Sequence, residues 1–264
     1  MSLTIATWNV NSIRSRLDHF RRFVELAQPD VICLQETKVV DDLFPHFEIE
    51  ALGYPHRAVQ GMKSYNGVAI LSRVPFSDVS STPWCGREDC RHLSLVLNSG
   101  VELHDFYVPA GGDTPDAEKN PKFAHKLQFL DEMTAWSKTI ANDGKKRVLL
   151  GDLNVAPLET DVWDHKKLAR VITHTPIERD RLTGIFEAGS WIDAQRHFVP
   201  PEEKLFTWWS YRNQNWPEED KGRRLDHIWV SPALKNDLSS MKVYRDVRCW
   251  EKPSDHAPVV LGLT

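Results

Sequence analysis

The strongest constraint in this chain is where its polar residues stand relative to its short apolar runs. Thr4–Trp8 is an apolar run of strand length, and it meets Asn9-Val10-Asn11. Val31–Leu34 meets Gln35-Glu36-Thr37-Lys38, and Val101–Phe106 meets Tyr107-Val108-Pro109. Arg147–Leu150 meets Gly151-Asp152-Leu153-Asn154. Asp226 sits just inside the run Leu225–Val230, and Ser254-Asp255-His256 precedes the closing run Pro258–Leu263. Such runs read as buried strands, because they are too short for amphipathic helices.

Between them, Ser15–Ala27 reads as a helix, with Leu17, Phe20, Phe23 and Val24 near helical spacing and Pro29 beyond its end. Lys122–Ala141 reads as a second helix, and Val68–Leu71 and His92–Leu97 as further strands. The stretches 109–121, 161–182 and 213–222 read as surface excursions. Strand-rich segments without strict β-α-β alternation imply a layered α/β sandwich with mixed sheets. With 264 residues, 41% of them hydrophobic, the chain can bury a core without disulfide or metal staples. No composition break marks a boundary, so residues 1–264 are expected to form a single domain. The four cysteines form no C-x-x-C pair and read as reduced thiols. No apolar run reaches the length of a membrane span. The N-terminus carries no basic stretch followed by an apolar one, which makes the cytoplasm the expected location.

The net charge of −4 argues, taken alone, against a nucleic-acid partner. Local basic clusters run the other way: Lys119/Lys122/Lys126, Lys145/Lys146/Arg147, Lys166/Lys167/Arg170 and Lys221/Arg223/Arg224. Any one of these is most simply a solvated surface patch.

Taken one at a time, a carboxylate at a strand end is a turn former or a helix cap. Strand ends on one side of a sheet converge, however, and sites form in the crevice there. Glu36, Asp152, Asp226 and Asp255 are therefore expected to share a pocket with Asn9, Asn154 and His256. Like charges crowded in a crevice need a cation or protonation. Oxygen donors suit Mg²⁺ or Mn²⁺, whereas zinc would want several histidines or cysteines. A cation of that kind, which keeps waters and binds phosphates, points to phosphoryl chemistry. An Asp226–His256 pair would fix the imidazole and favour its protonated form.

Six segments in chain order resemble the exonuclease III family of DNA-repair nucleases, the class II apurinic/apyrimidinic endonucleases. They are Trp8–Arg14, Leu34–Lys38, Tyr65–Ile70, Gly151–Pro157, Arg224–Ile228 and Ser254–Pro258, spread over nearly the whole chain. The resemblance implies a four-layer α/β sandwich of the deoxyribonuclease type. It implies Mg²⁺-dependent hydrolysis of duplex DNA 5′ to abasic sites, with 3′→5′ exonuclease and 3′-end cleaning activities, by a monomer. Glu36 would be the principal metal ligand, with Asn9, Asp152, Asn154, Asp255 and His256 grouped around the metal. Asp152 would orient or deprotonate the attacking water, and Asn154 help to hold that water or the phosphate. His256, oriented by Asp226, would contact the scissile phosphate, and Tyr107 the phosphate or the leaving oxygen. Asn11, Lys38, Trp208, Arg223 and Leu225 are expected to face the substrate. Trp208 and Trp209 would wall a pocket for a flipped abasic sugar, whose missing base makes extrusion cheap. Segments 161–167 and 213–221 are candidate DNA-facing loops. Where family members often carry an apolar residue before Arg-Leu-Asp, this chain has Arg223, which leaves the balance of endonuclease and exonuclease activity open. A superfamily relative acting on phosphoinositides or phospholipids, an RNA-directed nuclease and a non-catalytic binding module are the competing expectations.

Overall fold

The computed structural model describes residues 2–213 and 215–264. Met1 and Gln214, which belong to the N-terminal stretch and the 213–222 excursion, lie outside the described residues. The strands, in chain order, are β1 (Leu3–Asn9), β2 (Val31–Gln35), β3 (His56–Gln60), β4 (Val68–Ser72), β5 (Phe76–Ser80), β6 (His92–Leu97) and β7 (Glu102–Tyr107). They continue with β8 (Arg147–Asp152), β9 (Ile192–Asp193), β10 (Trp208–Trp209), β11 (Gly222–Arg223), β12 (Asp226–Val230), β13 (Leu238–Val243) and β14 (Val259–Leu263). One sheet has the order β13-β14-β1-β2-β4-β3 and the other β5-β6-β7-β8-β12-β9, with β10-β11 as a separate ribbon. The pairs β1–β2 and β7–β8 are parallel in otherwise antiparallel sheets.

Side chains alternate between the two faces of each strand. Ile5, Val31, Cys33, Leu103, Val148, Leu150, Ile228 and Val230 point between the sheets and form one buried cluster. The residues beside them point outward. Ala6, Trp8, Ile32 and Leu34 pack on Phe20 and Phe23 of the helix Leu17–Ala27. Phe106, Leu149 and Trp229 pack on Phe129, Leu130 and Met133 of the helix Pro121–Ile140, and on Leu182 and Ile185 of the helix Pro176–Ala188. The result is helix, sheet, sheet, helix, the expected four layers. Both faces of the central strands are covered, which is why they read as continuous apolar runs rather than alternating ones.

The inner stripe changes character along its length. Two residues beyond Ile5 is Thr7, and two beyond Cys33 is Gln35, whose Nε2 donates to Thr7 Oγ1 at 3.0 Å and to Asp105 Oδ1 at 2.6 Å. Two residues further still are Asn9 in β1, Tyr107 in β7 and Asp152 in β8, while Asp226 lies two before Ile228. Asp226 stands directly opposite Asp152, and Tyr107 beside it. The functional residues thus continue the core stripe past the point where it stops being apolar. Gly151 lets β8 carry Asp152 there. Its φ is +131°, and a Cβ would collide with the carbonyl oxygen of Phe106.

Several surface readings are corrected. The stretch 161–182 is not an excursion, because Asp161, His174 and Glu178 are fully buried and Pro176 opens a helix. Thr175 and Glu178 form a capping box, with the Thr175 amide donating to Glu178 Oε2 at 3.1 Å. Lys126, Arg147 and Arg224, read as parts of solvated basic patches, are buried. Each has carboxylate partners: Lys126 Nζ lies 2.5 Å from Glu178, Arg147 3.0 Å from Glu102, and Arg224 2.7 Å from Asp161. Charge type alone cannot distinguish a surface cation from one whose counter-ion arrives from a distant segment. No helix among the described residues is long and apolar enough to cross a membrane.

Candidate active site

The polar ends of the strands open onto a cleft of about 970 Å³ lined by Glu36, Tyr107, Asp152, Asn154, Asp255 and His256. Trp208, Arg223 and Leu225 line it too, while Asn9 and Asp226 are fully buried in its floor. Asn9 ties the two halves together. Its Nδ2 donates to Glu36 Oε1 at 2.8 Å and to Asp152 Oδ2 at 2.9 Å, joining the first sheet to the second. Its backbone oxygen accepts from Ser254 Oγ, which also receives the His256 amide, so β1 positions the Ser-Asp-His segment as well.

His256 lies between two carboxylates. Its Nδ1 donates to Asp226 Oδ2 at 2.8 Å, and its Nε2 stands 3.6 Å from Asp152 Oδ2. Burial works against the imidazole proton, but Asp226 and Asp152 outweigh it and push the pKa up to about 10. The ring is therefore a cation at neutral pH. Asp152 moves the other way for an acid: burial first, then the nearby Asp226 and Glu36, push it up to about 7 against the pull of His256. Its Oδ1 accepts from the Asn154 amide at 3.0 Å and its Oδ2 from Asn154 Nδ2 at 3.2 Å. Burial likewise raises the Tyr107 phenol well above its ordinary value, with Glu36 and Asp152 adding to the effect, so Tyr107 remains a proton donor.

Glu36 is held on one side by Asn9 and on the other by Lys38, whose Nζ lies 2.7 Å away. Burial opposes its charge, but Lys38 and Asn9 keep its pKa below the ordinary value. Its backbone has φ +52°, a left-handed conformation that glutamate seldom adopts, and Asn11, Lys38 and Asn154 also have positive φ. Left-handed non-glycine residues cost on the order of 1–3 kcal/mol each, and they cluster where geometry is imposed by function. Lys38 also donates to Asn11 Oδ1 at 2.6 Å, and Asn11 to Asp255 Oδ1 at 3.2 Å. Trp208 Nε1 donates to the other Asp255 oxygen at 2.9 Å.

Most of the residues singled out in the sequence thus meet in or under one cleft, with Asn11 and Lys38 joined to it through Asp255 and Glu36. Trp209 does not wall it: the residue is fully buried and its Nε1 donates to Asp220. Sequence reading missed Ile172, Thr173 and Arg212, which line the cleft, and Tyr211, whose hydroxyl accepts from Asn11 Nδ2 at 3.1 Å. They sit in segments without apolar periodicity. Asn213, Asn215 and Lys221 of the 213–221 loop and Trp163 of the 161–167 loop also reach the cleft.

The donor set suits a hard divalent cation. Four carboxylates, Glu36, Asp152, Asp226 and Asp255, have Lys38 and His256 as their ion-pair partners among the described residues, and the donors are oxygens rather than sulfur or several imidazoles. Asp152, Asp226 and His256 present ligand atoms within 4.8 Å of one another. The His256 nitrogen nearest Asp226 is already engaged, however, so the Glu36 side of the cleft has the freer oxygens.

Residues 6–256 match the model of the Endonuclease/Exonuclease/phosphatase family. The chain is 29% identical to exodeoxyribonuclease III of Haemophilus influenzae, over 96% of this chain and 97% of that one. Among solved structures it is similar to an AP endonuclease from Archaeoglobus fulgidus, with a TM-score of 0.89 and 34% identity over 98% of both chains. It is similar as well to a 3′ phosphatase from Neisseria bound to a product DNA hairpin, with a TM-score of 0.90 and 34% identity over 99% of both.

Proposed function

The chain belongs to the Endonuclease/Exonuclease/phosphatase family, and from that premise we propose that it is a metal-dependent DNA-repair nuclease. Its substrates are duplex DNA with abasic sites or 3′ ends, cut 5′ to the lesion or trimmed from the 3′ terminus. It works as a cytoplasmic monomer. The observation that carries this reading is the floor of the cleft, where His256, held by Asp226 at 2.8 Å, stands 3.6 Å from Asp152, and Asn9 ties Asp152 to Glu36.

Glu36 is the principal residue for holding Mg²⁺, or Mn²⁺ in its place, with Asn9 and Asp255 at the same site. When bound, the ion would offset the excess carboxylate charge and the charge gained by phosphate oxygens. The remaining roles fall to the chain itself. Asp152, deprotonated, accepts a proton from the attacking water, whose oxygen bonds to phosphorus as the bond to the departing oxygen breaks. Asn154 and Asn9 fix the carboxylate through their Nδ2 groups. His256 donates from Nε2 to a phosphate oxygen, its proton secured by Asp226. Tyr107 donates to the phosphate or the departing oxygen. Lys38 and Asn11 set the rim from which Glu36 and Asp255 are presented.

The test is cleavage of a defined abasic duplex and of an undamaged 3′-recessed duplex, with and without Mg²⁺. Metal-dependent cutting of at least one is expected. Release of phosphate from an inositol phosphate, with no cutting of either duplex, would overturn the reading.

A further inference from the structure

Arg223 and Arg224 are neighbours in sequence and opposites in environment. Arg224 is paired with carboxylates: Nε lies 2.7 Å from Asp161 Oδ1 and Nη1 2.6 Å from Asp193 Oδ2. Arg223 forms no ion pair with any carboxylate among the described residues. Its Nη1 donates to neutral acceptors, the Ile172 carbonyl at 3.2 Å and Thr173 Oγ1 at 2.7 Å. Its Nε is buried without a partner. Glu178, the carboxylate that most favours its charge, is already engaged with Lys126 at 2.5 Å and with the amides of Thr173 and Thr175. A guanidinium cannot escape the cost of partial burial by losing its proton, so an unmatched one in a cleft is disposed to bind an anion.

The guanidinium lies 5.1 Å from the Trp208 ring centre, and the same indole donates to Asp255 at its Nε1 edge. Trp208 pairs with Arg223 in the β10–β11 ribbon and bridges to His256 on its other side. Two antiparallel steps place the Arg223 backbone roughly 10 Å from that of His256. Arg223 therefore stands beside the His256–Asp152 centre rather than on it. We propose that Arg223, laid on Trp208 and braced by Thr173, is a second phosphate subsite that binds a backbone phosphate other than the one being cut. This rests on the reading of the cleft as a DNA nuclease site, because phosphates are the anions DNA offers. With Nη1 engaged and Nε buried, Nη2 is the nitrogen left to donate to a phosphate, held by the planar fork in an orientation that a lysine cannot reproduce. Burial holds the Arg223 pKa below its ordinary value, as expected for a cation waiting for its counter-ion.

The experiment is a cycle between Arg223→Gln and a set of duplexes, each with one phosphate near the cut replaced by a neutral methylphosphonate. In the parent enzyme, neutralising one non-scissile phosphate should raise KM at least tenfold with little change in kcat. In Arg223→Gln the same replacement should have no further effect, and the slope of log affinity against log salt should fall by about 0.9. Arg223→Lys keeps the charge and loses the fork, and should fall between the two. It also carries the cycle if the glutamine variant does not fold. Additive losses at every phosphate, with an unchanged salt slope, would overturn the subsite. A parent enzyme that cuts none of the duplexes would instead overturn the nuclease reading beneath it.

Discussion

Two buried ionic clusters lie side by side in this molecule, and they differ in balance. Behind the cleft, Asp161 and Asp193 meet Arg224 and Arg196, with Arg196 Nη2 2.6 Å from Asp161 Oδ1. Two carboxylates face two guanidiniums. In the floor of the cleft, four carboxylates face one lysine and one histidine. Burial penalises charge in both places. The first cluster answers with internal pairs, which hold Asp161 below its ordinary pKa despite the burial. The second leaves Asp152 near pH 7 and turns His256 into a durable cation. A balanced cluster holds a fold together, whereas an unbalanced one is completed by something from outside.

The most disruptive test of that contrast is Arg224→Met. It leaves Asp193 without its arginine and the buried Asp161 with Arg196 alone, and should cost about 3–5 kcal/mol of stability, read from the urea midpoint. Activity per folded molecule should survive. A loss below about 1 kcal/mol would show that the cluster is not a structural one. Asp152→Asn should do the reverse. Loss of a positioned base lowers kcat by about 10²–10⁴-fold, near 3 kcal/mol or more of barrier. The urea midpoint should hold or rise, since one excess carboxylate has gone. If Asp152→Asn destabilises the chain as much as Arg224→Met does, the contrast fails.

The unbalanced cluster was legible in the sequence and the balanced one was not. Asn9, Tyr107, Asp152 and Asp226 continue apolar runs, and alternation carries them to the same face as the core, while Glu36 and His256 stand just outside their strands, Glu36 with a positive φ. Asp161, Arg196 and Arg224 come from irregular or short elements, and nothing local announces that they will meet. The strands show the same divide. β1, β2, β7, β8 and β12 are covered on both faces and read as apolar runs. β3, β5 and β13 stand at sheet edges, and β5 and β13 are largely exposed, so their residues carry no run to detect. Arg223 could be picked out as unusual from sequence, but its missing counter-ion needed the positions of Glu178 and Lys126.

The two regions should also titrate in opposite directions. His227, next to the balanced cluster, is fully buried with Nε2 2.8 Å from the Val155 carbonyl, and burial with the nearby Arg224 lowers its pKa to about 4. Its unfolded value is near 6.5, so the unfolded chain takes up the proton first as pH falls. Stability is full above about pH 6.5 and should be about 2 kcal/mol lower by pH 5 from this group. His256 has the opposite sign. Its folded pKa of about 10 exceeds the unfolded value, so its contribution is complete below about pH 6.5 and fades as pH rises towards 10. His256→Ala should flatten the alkaline side of the stability profile and leave the acid side alone. His227→Asn should do the converse. A flat parent profile between pH 5 and 10 would contradict both signs.

The smallest effect is the most specific. If the cleft lacks a cation, Mg²⁺ should stabilise the folded chain by binding it and not the unfolded one. At ten times the dissociation constant the gain is about 1.4 kcal/mol, a few degrees in melting temperature for a chain of this size. Glu36→Ala should abolish most of that increment, because it removes the oxygens that Asn9 and Lys38 hold in place. Arg224→Met starts from a lower melting temperature and should nevertheless show the full increment, since its cluster has no part in the ion site. An increment lost equally in both variants would mean that Mg²⁺ acts on the chain as a whole, and the charge excess of the cleft would then need another explanation.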